Sequence, residues 1–178
     1  MDIKSLFGLG RNDIQFTEDM SLEDRMLMYL DKKICTIECE INNINRGGCA
    51  VFANILGTKL DEIGIPYEIA FLYTGDVEHL ENNRNNTLGD LLDVGFSLKH
   101  VMIKIHGKYV DSEGIVDHYL EIENWSECTE VIADKEMLDH FAGHPNGWNQ
   151  MFDRSDIYQM HGFMDSFFNK FNRINSQY

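Results

Sequence analysis

The chain has 178 residues, 43% of them hydrophobic and 11% aromatic, which suits a folded protein with a real core and excludes a disordered chain. A formal net charge of −15 argues against nucleic acid as a simple electrostatic partner and against docking on an anionic membrane surface. The start, Met1-Asp2-Ile3-Lys4, lacks a signal-peptide run, and no later segment is apolar over a bilayer's thickness.

These features predict a cytoplasmic protein built as a single domain over residues 1–178. In such a setting the four cysteines, Cys35, Cys39, Cys49 and Cys128, stay reduced. Abundant Asn and only 2 Pro suggest a low-GC bacterial or phage source; for a phage protein the setting becomes the host-cell cytoplasm or the virion. Oligomeric state has no signature in the chain.

Taken in order, residues 1–20 carry few signals, with Leu6 to Leu9 a short helix or an arm. Ser21-Leu22-Glu23-Asp24 resembles a capping box with Ser21 as N-cap. The helix it opens carries Met26, Leu27, Leu30, Ile34, Ile37, Ile41 and Ile44, with a break near Lys33. Cys49 follows a Gly-Gly pair. After it, Phe52, Ile55, Leu56, Leu60 and Ile63 recur at the spacing of a helix buried on one face, and Gly64-Ile65-Pro66 stops that helix. Cys49 therefore stands in a helix's first turn, where unpaired N–H groups and the dipole favour negative charge and make a thiol a better nucleophile. A small buried hydrophobe is the plain alternative for a cysteine.

Ile65 to Thr74 reads as a strand, and Gly75 to Gly89 as a polar, exposed loop. Leu88 to Val94 reads as a short helix or turn near the site. His100 to Ile105 is a strand, His106-Gly107 a two-residue turn, and Lys108 to Asp111 the returning strand. Ile115 to Ile122 continues the sheet, Trp125 to Val131 is irregular, and Asp134 to Phe141 is a short helix ending at Gly143-His144-Pro145. From Ser155 on, Ile157, Met160, Phe163, Met164, Phe167, Phe168 and Phe171 form a wide helical stripe that docks on the core; a partner-binding helix is the lesser reading.

The hairpin carries a geometric argument. With His106-Gly107 as the turn, Ile105 faces Lys108 and Met102 faces Asp111, and alternation puts His100 on the face of Met102. His100 and Asp111 become diagonal neighbours, roughly 7–8 Å apart at the backbone and within side-chain reach. Glu113, directly opposite His100 in this register, is the reserve acid. A carboxylate beside a histidine fixes its tautomer and supports it as a base. Cys49, His100 and Asp111 then supply a nucleophile, a base and an orienting acid.

This order and element pattern resembles the papain-like and transglutaminase-like Cys-His-Asp superfamily, which includes arylamine N-acetyltransferases. The match runs roughly from Asn43 to Gly114. Arg46-Gly47-Gly48-Cys49 is similar to the Arg-Gly-Gly-x-Cys of the acetyltransferases, but lacks the intervening residue and has Val51 where that motif has Glu. The resemblance implies a cysteine opening a helix packed on an antiparallel sheet, with His and Asp on neighbouring strands. Asn43 lies six residues before Cys49, where papain-like enzymes carry an oxyanion-hole Gln, and is the matching donor candidate; Asn42 and Asn45 are equally available.

Cys35 and Cys39 with His140 and His144 are a weaker, zinc-like constellation. Gly143 and Pro145 disfavour a helical His pair, and no metal is expected. The chain has no phosphate-binding Gly-rich loop, and no cofactor is expected. The expected fold is α+β: a Cys-bearing helix on a small antiparallel sheet, flanked by N- and C-terminal helices. The expected function is thiol acyl chemistry on a peptide or amide substrate, with hydrolysis first and acyl transfer to an amine second. The rival is a non-catalytic acidic binding protein for a protein partner, an inhibitor or an assembly component.

Overall fold

The computed structural model of the chain describes residues 14–34, 41, 44, 48–74, 97–119, 127–143 and 154–178. Helix α1 (Leu22–Lys33) begins where Ser21 Oγ accepts the Asp24 N–H at 3.1 Å. Glu23 and Asp24 lie in its first turn and Lys32 and Lys33 in its last, so both ends complement the dipole. The helix stops at Lys33, where the sequence reading placed a break. Ile41 and Ile44 beyond it are both buried.

Helix α2 (Cys49–Ile63) is apolar almost all round in its first turns: Cys49, Ala50, Val51, Phe52 and Ala53 are all buried. Such a surface is stable only when wrapped by other elements. Gly64 ends the helix at φ 75°, in the left-handed region glycine favours, and the Ile65 N–H closes onto the Leu60 carbonyl at 3.0 Å. Strand β1 (Glu68–Thr74) starts three residues later than the apolar run from Ile65 suggested. Ile65 is taken by the helix cap, and Pro66 has no N–H to give a ladder.

Strands β2 (Ser97–Ile105) and β3 (Lys108–Val110) form the expected hairpin. His106 at φ 50° and Gly107 at φ 80° make the turn, two positive values in a row, which matches the twist of the paired strands. Strand β4 (Ile115–Val116) is only two residues long, and β5 (Thr129–Ala133) completes the sheet in the order β4-β3-β2-β1-β5, every pair antiparallel. The β5 strand corrects the reading of Trp125 to Val131 as irregular. It runs along the sheet edge and buries only Ala133, so it has no in–out alternation for a sequence to show.

Helix α3 (Lys135–Gly143) is capped by Asp134, whose Oδ1 accepts the Met137 N–H at 2.8 Å. Helix α4 (Arg154–Asn175) buries Met160, Met164, Phe167, Phe168 and Phe171. That stripe docks on the core: Phe167 meets Tyr29 of α1 at 4.6 Å between ring centroids, and Phe171 meets Phe16 at 6.0 Å. The main core joins α2, α3 and α4 to Phe71, Val101, Ile103, Ile105 and Val110 of the sheet. A smaller cluster gathers Ala70, Leu72, Met102, Tyr109, Tyr119 and Cys128. The architecture is α+β, a Cys-bearing helix on an antiparallel sheet with N- and C-terminal helices flanking it. Among the described residues no helix is long and apolar enough to cross a membrane.

Candidate functional site

Three elements deliver three side chains to one place. Cys49 is the first residue of α2, which packs against β2. The cap before it, Gly48, offers no side-chain acceptor, and no acidic residue lies in the first turn. The positive end of the dipole is therefore left for whatever charge the thiol carries.

His100 lies on β2 beside an irregularity. Leu72 pairs with His100 and Tyr73 with Leu98, so Lys99 is an extra residue with no partner in the register. A bulge of this kind bends the strand and re-aims the side chain next to it.

Asp111 comes directly after β3, at a reversal of the chain. Its N–H donates to the Gly114 carbonyl at 3.1 Å, and its Oδ1 accepts from the N–H groups of Glu113 at 2.8 Å and Gly114 at 3.1 Å. The other oxygen, Oδ2, lies 2.9 Å from His100 Nε2. An ionised carboxylate only accepts, so Nε2 carries the proton and donates it to Oδ2. All three side chains are nearly enclosed: relative exposure is 7% for Cys49, 9% for His100 and 4% for Asp111. A carboxylate so deep survives because both oxygens are hydrogen-bonded.

The electrostatics follow from this packing. Burial alone pulls the His100 pKa down, since it penalises the imidazolium. Hydrogen bonds to Asp111 and Cys49, and the negative charge of both partners, outweigh that and hold His100 raised to about 10. Cys49 is thus a hydrogen-bonding neighbour of His100, on a different element from Asp111.

No model of a protein family, no curated protein and no solved structure matches the chain.

Cys49, His100 and Asp111 are therefore brought together. Glu113 is not where the hairpin register put it. That register holds through Ile105 opposite Lys108 and Ile103 opposite Val110, but β3 ends there and the chain turns back into β4. Glu113 is exposed within the turn, and its backbone N–H bonds Asp111 Oδ1. Asn43 and the stretch from Leu88 to Val94 lie outside the described residues, as do Cys35, Cys39 and His144. Sequence reasoning missed Gly114 and the bulge at Lys99. The first had a signal: Asp at position one and Gly at position four, as in Asp111-Ser112-Glu113-Gly114, is a turn composition. The bulge had none, because Leu98-Lys99-His100 reads as ordinary strand.

Proposed function

We propose that this chain performs thiol acyl chemistry on an amide or peptide substrate, with a core like that of the papain-like and transglutaminase-like superfamily. The observation that carries the reading is the 2.9 Å hydrogen bond from His100 to a buried Asp111 with Cys49 as the other neighbour of the same ring. With Nε2 committed to Asp111, the other ring nitrogen, Nδ1, exchanges a proton with the thiol. Cys49 Sγ attacks the carbonyl carbon as the thiolate, its proton already held by His100, whose raised pKa keeps the ring charged at neutral pH. The N–H groups opening α2 face the developing oxyanion, with Asn43 the candidate second donor. His100 returns the proton to the leaving amine, and a thioester remains on Cys49. Water, deprotonated by His100, hydrolyses the thioester and releases the acid and the thiol. An amine in place of water gives transfer. Asp111 orients His100 and stabilises its charged form. The reading carries a cytoplasmic setting, or the host cytoplasm or virion for a phage protein.

The test is alkylation of the folded protein by iodoacetamide at neutral pH, with the modified cysteine identified by mass spectrometry. Cys49 should react faster than a free thiol, and His100→Ala should abolish that fast reaction. A Cys49 that reacts no faster than a free thiol, or as fast without His100, sinks the thiol mechanism. The net charge of −15 would then favour the acidic binding protein. In the same frame, Cys49→Ser should lose hydrolytic activity by orders of magnitude while its melting temperature stays close to wild type. The hydroxyl inherits His100 as a hydrogen-bond partner, so no buried polar group is stranded.

A further inference from the structure

Asp111 differs from a carboxylate held only by its histidine. Its Oδ1 is clamped by two backbone N–H groups, those of Glu113 and Gly114, and its own N–H is tied to the Gly114 carbonyl. Gly114 thus contributes both of its backbone groups to one neighbour. Two bonds to Oδ1 set the plane of the carboxylate, and that plane decides whether Oδ2 points at His100.

The conformation that allows this is open to glycine. Gly114 stands at φ 154°, a backbone region an L side chain rarely adopts. Space does not explain the glycine, because a Cβ built there meets no atom within 4 Å. The residue is required for its dihedral alone. A side chain at position 114 would drive φ to a negative value and swing the peptide planes that carry the Gly114 N–H and C=O.

We infer that Gly114 is a positioning residue: through the Asp111–Gly114 turn it aims the Asp111 carboxylate at His100 Nε2. The inference rests on the proposed role of His100, but its test reads His100 directly and does not depend on acyl chemistry. It also explains why Asp111 follows β3 and does not lie within it. A strand residue would spend its N–H and C=O on the ladder, whereas the first residue of a turn can bring in two extra donors from further along the chain.

The experiment is an NMR titration of the His100 ring in wild type and in Gly114→Ala, with the fold monitored by amide spectra. Groups bearing on the ring are Asp111 from the turn and Cys49 from α2. Gly114→Ala leaves both in place, so any change reports aim and not composition. Expected is a fall of about one unit or more in the His100 pKa, worth a factor of ten in the proton equilibrium. Asp111→Glu is the second arm. It keeps the charge but lengthens the arm by one methylene, which spoils the clamp, and His100 should fall likewise. A folded Gly114→Ala or Asp111→Glu whose His100 titrates as in wild type overturns the proposal. Failure of both variants to fold also overturns it, since the turn would then serve stability. Iodoacetamide kinetics on the same samples separate the two ideas. A lowered His100 pKa with an ordinary Cys49 rate in wild type would uphold the positioning role and remove the thiol mechanism.

Discussion

His100 shows how one buried contact ties stability to pH. Its folded pKa, raised to about 10, lies above the ordinary histidine value of about 6.5. A group with a raised folded pKa binds its proton more tightly in the native state. Its stabilising contribution is complete below the unfolded value and is lost as pH rises through the folded one. Wild type and His100→Gln should therefore differ most in melting temperature near pH 6, with the gap narrowing steadily towards pH 10. A gap constant over that range would show that the imidazolium is not what Asp111 stabilises. Removing the acid instead strands a charge: Asp111→Ala should destabilise by about 3–5 kcal/mol at neutral pH, the range for breaking a buried pair, and urea denaturation would measure it.

At the scale of elements, two features place the site, and each is testable on its own. The β2–β3 hairpin sets which residue of the returning chain meets His100, and its register depends on two successive positive φ values at His106 and Gly107. Gly107→Ala puts a side chain at φ 80° with no clash to explain a loss. It should cost about 1 kcal/mol or slightly more through backbone strain, measurable by urea denaturation. Helix α4 braces the opposite side of the core. Phe171 is fully buried and its ring meets Phe16 and Tyr29 at 6.0 and 5.5 Å. Phe171→Ala should cost about 3–5 kcal/mol, as for other core aromatics. A partner-docking stripe, exposed in the free protein, would lose almost nothing, so the same denaturation curve decides between the two uses of the helix.

The molecule as a whole carries 30 acidic residues against 15 basic ones, and this imbalance acts at long range. Ion pairs such as Lys59 with Asp165 and Lys104 with Glu130, at 2.9 and 3.3 Å, offset it locally. The net charge of −15 remains, so like charges repel across the surface. Raising NaCl from about 0.01 M to about 0.15 M shortens the Debye length from about 30 Å to about 8 Å and should raise the melting temperature at pH 7. A drop on adding salt would mean that attractive pairs, not net repulsion, dominate the surface. The His100–Asp111 bond should respond little, since buried pairs are screened far less than exposed ones.

Much of this arrangement is legible in the residues because the information is local. Ser21 marks a helix start, Gly64-Ile65-Pro66 a helix stop and His106-Gly107 a turn, and each follows from a short-range backbone preference that needs no distant partner. The stripe from Ile157 to Phe171 follows from helical periodicity in the same way, and so does Cys49 at the head of α2. The hairpin register alone puts His100 and Asp111 within reach of each other, because pairing is arithmetic once the turn is known. Three things depend on contacts between residues far apart in the chain. Thr129–Ala133 becomes a strand by pairing with β1, a partner more than fifty residues away, and its own residues show no alternation. Lys99 bulges where Leu98 and His100 pair out of step with β1, a mismatch no segment reveals alone. The acid beside His100 is Asp111 and not Glu113, because β3 ends at Val110 where β4 folds back on it. Helix caps and tight turns are short-range energies written in a few neighbouring residues. Strand ends and edge pairing are settled by whichever distant segment arrives to share the hydrogen bonds, and that is decided only when the chain has folded.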